Sequence, residues 1–254
     1  MSAIVDLWSR CGPDLKPSEI AGELLRLVES QEQVATSSIV DDLAEQVLLE
    51  DLLEPVKPPL RPGTESLHYL LASPFRYPPL RYGSRFGSRF EPSLFYGALS
   101  LQTVLAEAAY YRLVFWTAMA EPPPAGRLLT QHTVFRARYR SPRGLRLQDP
   151  PCDSHATELR HPSDYGPTQA LGHRLREMDV EAIEYGSARD PSGGQNVGLF
   201  SPAALASRRP LDPQPWLCET RASRVAFSGG TERAAYAFPI ELFQVEGRLP
   251  LPAI

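Results

Sequence analysis

The sequence predicts an α+β fold, a mixed twisted sheet with flanking helices, preceded by a helical N-terminal extension. The segment SLFYGA (residues 93–98) has the composition of a short strand and leads into the helical pattern LQTVLAEAAYYRLVFWTAM, for which Ser100 is an available N-cap. Three later segments, VEAIEYGSA, GGQNVGLFSPAAL and PWLCETRASRVAF, are short and bounded by Gly or Pro. Strands and helices mixed in this way are typical of an α+β domain.

Two further elements are predicted in the same part of the chain. A β-hairpin is predicted from the consecutive segments LLTQHTVFRARYR, the turn signal SPRG and LRLQ. A helix is expected near residues 167–178.

The N-terminal part differs in charge and pattern. Residues 1–60 carry 12 acids against 4 bases, whereas the remainder carries 18 acids against 22 bases. Apolar residues at 20, 24, 25, 27 and 28 predict one helix, and those between 39 and 53 predict a second, with Ser37 or Ser38 as its cap. The proline-rich segment PVKPPLRPG cannot continue a helix. We therefore expect an acidic helical extension at residues 1–70 and a larger domain at 71–254.

Composition limits the class of protein. The chain has a net charge of −4 and no apolar run long enough to cross a membrane, and its N-terminus lacks the pattern of a secretory signal. Three widely spaced cysteines (Cys11, Cys152 and Cys218) form no CxxC pair, which disfavours a disulfide framework and a structural zinc site. We expect a cytoplasmic protein that neither enters a membrane nor binds a metal.

Several common catalytic motifs are missing. The sequence contains no GxGxxG, GxxxxGK[ST], HExxH or GxSxG pattern. Cys152, Asp153, His155 and His161 lie close together, but a polar loop collects such residues without binding metal.

The segment FRYPPLRYGSRFGSRF (residues 75–90) carries four arginines, each followed by an aromatic residue, and no acid. Three interpretations compete. The arginines could pack on aromatics in a surface loop, form a platform for single-stranded nucleic acid, or line a nucleotide pocket in which guanidinium groups hold a pyrophosphate. The small positive balance of residues 61–254 makes nucleic acid an unlikely ligand.

Glu107 favours the nucleotide pocket. It lies two turns into the predicted helix, among the apolar or small residues Val104, Leu105, Ala106, Ala108 and Ala109. A lone glutamate on a helix is most often a solvated charge, but a carboxylate in apolar surroundings is costly unless it has a partner. Following directly after an arginine-rich segment, Glu107 becomes a candidate site residue.

The stretch SRFGSRFEPSLFYGALSLQTVLAE resembles the core of the RES domain, which is named for its arginine, glutamate and serine. The resemblance resumes at IEYGSARDPSGGQNVGLFSPAAL and spans about residues 75–227. RES proteins are typically the toxins of Xre–RES toxin–antitoxin pairs, and their fold resembles that of ADP-ribosyltransferases. They degrade NAD or transfer ADP-ribose from it. The resemblance implies NAD as substrate, an Xre-family antitoxin as partner and a possible homo-oligomer.

The resemblance also implies roles for individual residues. Arg76 matches the first family arginine, and either Arg85 or Arg89, which stand in identical GSRF sequences, matches the second. The strand tyrosine, the glutamate and the serine correspond to Tyr96, Glu107 and Ser187. The expected catalytic residues are Glu107, Arg76, Tyr96 and Ser187. The expected NAD-binding residues are Arg85, Arg89, Tyr82 and Phe90.

The implied activity is cleavage of the nicotinamide–ribose bond of NAD by a glycohydrolase or phosphorylase. Two alternatives stay open at this point: a mono-ADP-ribosyltransferase that modifies a cellular protein, and a non-catalytic module that binds a nucleotide or RNA. The residues do not determine whether water, phosphate or a protein side chain accepts the ADP-ribose.

Overall fold

The computed structural model describes residues 6–30, 43–231 and 233–252, and within them the fold is α+β. The helices are α1 (Leu7–Cys11), α2 (Leu43–Leu53), α3 (Tyr69–Arg76), α4 (Leu101–Thr117), α5 (Ala156–Leu159) and α6 (Gly166–Glu177). The strands are β1 (Ser18–Glu29), β2 (Phe95–Ala98), β3 (Leu128–Arg146), β4 (Ala182–Gly186), β5 (Gln195–Leu199), β6 (Leu211–Arg221), β7 (Arg224–Gly229) and β8 (Ala234–Pro239).

The eight strands form one mixed sheet that closes on itself over part of its width. Its order is β1-β2-β5-β4-β3-β6-β7-β8, and an additional pairing joins β1 to β3. Strands β1, β2, β5, β4 and β3 therefore form a ring, in which only β3 and β4 run parallel. The ring is filled by apolar side chains from its inner face, including Ile20, Leu24, Phe95, Phe135 and Val197. Strands β6, β7 and β8 extend the sheet from the first half of β3.

The helix predicted at residues 20–28 is wrong, because this segment is strand β1. The strand pairs with β3 from Ser18 to Glu29. Ile20 and Leu24 fill the ring, while Leu25 and Leu27 on the opposite face pack against a second cluster beneath α4. A strand covered on both faces loses the alternation of apolar and polar residues, so its pattern resembles that of a helix.

The hairpin predicted around SPRG is also wrong, because residues 128–146 form the single strand β3. Its pairing with β1 continues through Ser141 and Gly144, with a register shift opposite Ser18 and Ile20. The segment SPRG, predicted to form a turn, lies instead at this register shift within β3. Long-range pairing with β1 and β4 supplies partners for backbone groups that a local turn would otherwise have used.

The other predicted elements are confirmed. Strand β2 leads into α4, whose cap is Ser100, with Oγ accepting a hydrogen bond from the Thr103 amide. Helix α6, β4 and β5 lie where the sequence predicts them, whereas the single predicted segment PWLCETRASRVAF is divided between the end of β6 and the start of β7. Helix α2 belongs to the second predicted helical run, whose expected caps, Ser37 and Ser38, lie outside the described residues. The domain boundary at residue 70 stays a prediction, although β1 is hydrogen-bonded into the sheet of the larger domain.

Helix α4 packs on the extended part of the sheet. Its buried residues Leu105, Ala109 and Leu113 join a cluster with Val225, Phe227 and Phe238 from β7 and β8. Glu107 lies two residues from Leu105 and from Ala109, about 200° around a helix, so it faces away from this cluster. The packing of α4 thus fixes the direction in which Glu107 points.

Contrary to the prediction from cysteine spacing, Cys11 and Cys152 are joined by a disulfide. It connects the end of α1 to the turn before α5, across 141 residues of sequence, and both cysteines are fully buried. Disulfides are typical of oxidising compartments. A cytoplasmic location stays a prediction. Among the described residues, no helix is both long and apolar enough to cross a bilayer.

Candidate active site

A cavity of about 470 Å³ lies between α3, the arginine-rich segment that follows it, β2 and the exposed side of α4. Its charged lining residues are Arg26, Arg85 and Glu107. Six tyrosines contribute to its walls: Tyr77, Tyr82, Tyr96, Tyr111, Tyr165 and Tyr185. A concave site of this size with few charged groups and aromatic walls is suited to a small organic ligand.

Strand pairing brings four of the lining residues to one face of the sheet. Ala98 lies opposite Asn196, which in turn lies opposite Tyr185, while Tyr96 is two residues before Ala98. Directly opposed residues share a face, as do residues two apart along a strand. Tyr96, Ala98, Asn196 and Tyr185 therefore all point toward the cavity, and their strand neighbours fill the ring behind it.

Glu107 is held by two side chains from other parts of the chain. Ser187 Oγ and Asn196 Nδ2 each donate a 2.6 Å hydrogen bond to Oε1 of Glu107. Among the described residues, no group donates a hydrogen bond to Oε2. One carboxylate oxygen thus fixes the position of the side chain, while the second remains available to a ligand in the cavity.

Ser187 belongs to a tightly hydrogen-bonded turn after β4. Its hydroxyl oxygen accepts from the amides of Arg189 and Asp190, both at 3.0 Å, as well as donating to Glu107. Thr103 Oγ1, in the first turn of α4, donates to Asp190 at 2.8 Å. This turn is therefore attached to α4 at two points four residues apart, and it positions the Glu107 carboxylate.

The structure distinguishes the two GSRF arginines. Arg85 is buried and lines the cavity, and its Nη1 donates to the carbonyl oxygens of Leu159 and His161 at 3.1 and 3.0 Å. Its guanidinium lies 4.7 Å from the ring centroid of Tyr165. Arg89 is exposed, stacks on its neighbour Phe90 and does not line the cavity.

A local turn determines which of the two arginines points inward. Gly83 has φ of +72°, which few other residues adopt, and Ser84 pairs with Gly87 across the turn. The Tyr96 hydroxyl accepts from the Phe86 amide at 3.2 Å and is 3.0 Å from Ser84 Oγ. Tyr96 thus fastens the turn that carries Arg85 to strand β2.

The structure brings together only some of the residues expected at the site. Tyr82, Arg85, Tyr96 and Glu107 line the cavity. Ser187 reaches the site through Glu107. Three others do not line the cavity: Arg76 donates through Nε to the Pro58 carbonyl, Arg89 is exposed, and Phe90 is 83% exposed.

Burial keeps three of the cavity tyrosines in the neutral form. Burial raises the pKa of Tyr96 and, to a greater extent, the pKa values of Tyr111 and Tyr185. The Tyr111 and Tyr165 hydroxyls are 3.4 Å apart. These side chains therefore offer ring faces and phenol hydroxyls, and none of the three is ionised to act as a base.

Sequence reasoning missed several lining residues. Asn196 lies within GGQNVGLF, a segment predicted only to be a strand. Its place at the site depends on pairing opposite Ala98, which the sequence does not reveal. Arg26 was assigned to a helix in the N-terminal part, so nothing connected it to the site. Tyr165 comes from the poorly patterned region before α6, where no local signal distinguishes it.

The fold and the cavity define a class: an α+β protein with a ligand cavity that pairs a fixed carboxylate with a buried arginine and several tyrosines. A protein-family model for the RES domain matches residues 58–238, which is most of the chain. The chain therefore belongs to the RES domain family. A search of curated proteins gives no match. Among the described residues, no three His, Cys, Asp or Glu side chains are grouped so as to hold a metal ion.

Proposed function

We propose that this protein cleaves the nicotinamide–ribose bond of NAD. The observation that carries the proposal is the geometry of Glu107 inside a cavity that also contains Arg85. One carboxylate oxygen is bound by Ser187 and Asn196, and the other has no donor among the described residues. Membership of the RES domain family supports a reaction of this kind.

Cleavage of the nicotinamide–ribose bond depends more on stabilising positive charge on the ribose than on a general acid that protonates the leaving group. When the bond between the anomeric carbon and the nicotinamide nitrogen breaks, the electron pair goes to the pyridinium nitrogen, and nicotinamide leaves as a neutral molecule. Positive charge then develops on the ribose, as in glycoside cleavage. A preorganised carboxylate beside the ribose stabilises that charge, because it needs little reorganisation during the reaction.

In this proposal, Oε2 of Glu107 faces the ribose, while Ser187 and Asn196 hold Oε1. Arg85 contacts the pyrophosphate with the guanidinium nitrogens that do not bind Leu159 and His161. The tyrosine rings are placed to stack on the nicotinamide or the adenine, and their hydroxyls can donate to ribose oxygens. Binding of this kind orients the scissile bond toward Glu107.

The acceptor determines the products. If water attacks the anomeric carbon, the products are ADP-ribose, nicotinamide and a proton. If inorganic phosphate attacks, the product is ADP-ribose carrying a phosphate on the anomeric carbon. If a protein side chain attacks, that protein gains an ADP-ribosyl group, which is ADP-ribose less one water, and nicotinamide and a proton are released. An Xre-type antitoxin as partner is part of the proposal and rests on the family alone.

The test is incubation of the full-length protein with NAD, with and without phosphate and cell extract, followed by mass spectrometry of small molecules and proteins. Nicotinamide release is expected, and Glu107→Gln should lower its rate by about 10²–10³-fold, the usual effect of removing one preorganised group. The control is Glu121→Gln, which neutralises an exposed glutamate after α4. Equal rates in Glu107→Gln and the parent protein would refute the proposal.

A further inference from the structure

Strand β1 contributes a cation to the cavity. Arg26 lines the cavity together with Glu107 and Arg85, although β1 lies outside the residues that match the RES domain model. The only registered pair between β1 and β2 is Leu25 with Ala98. Arg26 follows directly after this pair in β1, and its side chain lines the cavity.

The close approach of the two strands depends on Gly97. A Cβ atom at this position would lie 2.7 Å from Leu24 Cδ1 and 2.8 Å from the Leu25 carbonyl oxygen. These distances are too short for any residue with a side chain. Gly97 therefore allows β2 to lie close enough to β1 for Arg26 to reach the cavity.

The described residues provide hydrogen-bond acceptors for only some of the guanidinium nitrogens of Arg26. Nη1 donates to the Tyr96 carbonyl, and the guanidinium carbon lies 4.8 Å from the centroid of the Phe95 ring. Nε is buried and has no hydrogen-bond partner in the part of the chain that the structure describes. Among the described residues, no carboxylate forms an ion pair with Arg26. Burial lowers the pKa of Arg26 to about 10, so the side chain remains charged at neutral pH.

Arg26 is half-buried and its Nε is fully buried; a cation removed from water in this way without a counter-charge is costly, and such a group is usually compensated by an anion. The charged lining of the cavity also consists of two arginines and a single glutamate, which favours an anionic ligand over a neutral one. Arg76, expected from the sequence to hold the pyrophosphate, does not line the cavity.

We propose that Arg26 of strand β1 is a phosphate-binding residue of this site, which contacts the pyrophosphate of the dinucleotide together with Arg85. The inference rests on the proposed function for the identity of the ligand. It gives β1 a direct part in ligand binding, and the site then extends beyond the residues that match the family model.

Arg61 provides a matched control. It also stacks on a phenylalanine, with its guanidinium 5.6 Å from the Phe75 ring, and it donates to a backbone carbonyl, that of Ser93. Burial lowers its pKa too, but it does not line the cavity. Arg61→Gln therefore removes a similar structural contact made by an arginine that does not itself line the cavity.

The experiment is calorimetric titration of the full-length protein carrying Glu107→Gln, in which turnover is expected to be about 10²–10³-fold slower. The ligands are NAD, inorganic pyrophosphate and the phosphate-free nicotinamide riboside. Arg26→Gln should weaken binding of NAD and pyrophosphate by about tenfold to a hundredfold, the effect of losing a charged hydrogen bond. Binding of the riboside should be unchanged, and Arg61→Gln should bind all three ligands like the parent.

Unchanged NAD affinity in Arg26→Gln overturns the inference and leaves the proposed function intact. Equal losses for NAD and the riboside, or an equal loss in Arg61→Gln, indicate a structural role and also overturn it. If the parent binds pyrophosphate through Arg26 but does not bind NAD, the proposed function fails and Arg26 remains an anion-binding residue. If the parent binds neither ligand, both proposals fail.

Melting temperatures of the two glutamine variants measure folding separately. Should Arg26→Gln fail to fold, Arg26→Lys decides, because lysine keeps the charge but lacks the planar fork of the guanidinium. This variant is expected to lose several-fold more affinity for NAD than for the riboside. If the variant loses affinity for NAD and for the riboside by the same factor relative to the parent, the inference is overturned.

Discussion

The Ser187 hydroxyl donates a 2.6 Å hydrogen bond to the carboxylate of Glu107, although 80 residues separate the two in sequence. The same hydroxyl accepts from two amides of its own turn, so its direction is fixed. Asn196 binds the same carboxylate oxygen from β5. Glu107 is thereby oriented by three elements, the helix that carries it, the turn after β4 and strand β5. Among the described residues, Oε2 of Glu107 accepts no hydrogen bond, so it is the oxygen that the proposed function assigns to the ribose.

The first prediction concerns the pH dependence of NAD cleavage in Asn196→Asp. The substitution places a second carboxylate at the position of the Asn196 amide, 2.6 Å from Glu107 in the parent. Two carboxylates this close cannot both ionise easily, so the pKa of the pair rises. In the proposed reaction Glu107 acts as a carboxylate, so the acidic limb of the pH–rate profile should move to higher pH.

Asn196→Ala is the control for that prediction. It removes the hydrogen bond without adding charge, so its acidic limb should move less. Rates of nicotinamide release between about pH 4 and 9 measure both profiles. An unshifted limb in Asn196→Asp would show that Glu107 does not need its charge.

The second prediction distinguishes the two GSRF arginines. Arg85→Ala should weaken NAD binding by about 1.5–3 kcal/mol, the range for hydrogen bonds to charged groups. Arg89→Ala should have no effect, because Arg89 is exposed and outside the cavity. Calorimetry on the Glu107→Gln background measures both.

Arg85 also binds the carbonyls of Leu159 and His161, so Arg85→Ala should lower the melting temperature as well. Arg85→Lys helps to separate the two effects, since it keeps the charge but loses the forked geometry. A loss of NAD affinity in Arg89→Ala and not in Arg85→Ala would contradict the position of the site.

The third prediction tests the place of β1 in the fold. Leu24 is fully buried inside the ring of strands. Leu24→Ala should therefore lower the free energy of unfolding by about 2–5 kcal/mol. Leu48→Ala, at a position in α2 that is 59% exposed, should change it by less than about 0.5 kcal/mol. Urea denaturation measures both, and a mild effect of Leu24→Ala would contradict a structural role for β1.

The fourth prediction concerns His132, a buried residue of β3 outside the site. Burial, reinforced by the positive charge of Arg112, lowers the pKa of His132 from its ordinary value of 6.5 to about 4. Between these two values the unfolded chain binds more protons than the folded protein, so stability falls as the pH decreases from 6.5 toward 4.

His132→Gln removes this contribution. Relative to that variant, the parent should lose about 2 kcal/mol of unfolding free energy between pH 7.5 and pH 5, as measured by urea denaturation at each pH. Parallel pH dependence in the two proteins would show that His132 titrates normally in the folded state.

The sequence by itself determined the parts of the structure whose signals are local. Ser100 caps α4 because its side chain precedes a helical pattern, and the strand before it has the composition that strands prefer. Glu107 became a candidate site residue because it follows an arginine-rich segment and because a carboxylate among apolar neighbours requires a partner. The same local order of arginine segment, strand and helix carried the family resemblance, which the RES domain match confirmed.

Tertiary structure alone decided the parts that depend on partners distant in sequence. Arg85 and Arg89 stand in identical four-residue sequences, and only the turn fastened by Tyr96 directs Arg85 inward. Strand β1 has apolar residues on both faces because it is covered on both, so its pattern cannot be told from that of a helix. Arg26 reaches the cavity only because β1 pairs with β3 and approaches β2 at Gly97. Strand pairing joins segments far apart in the chain, and no local pattern records which segments will meet.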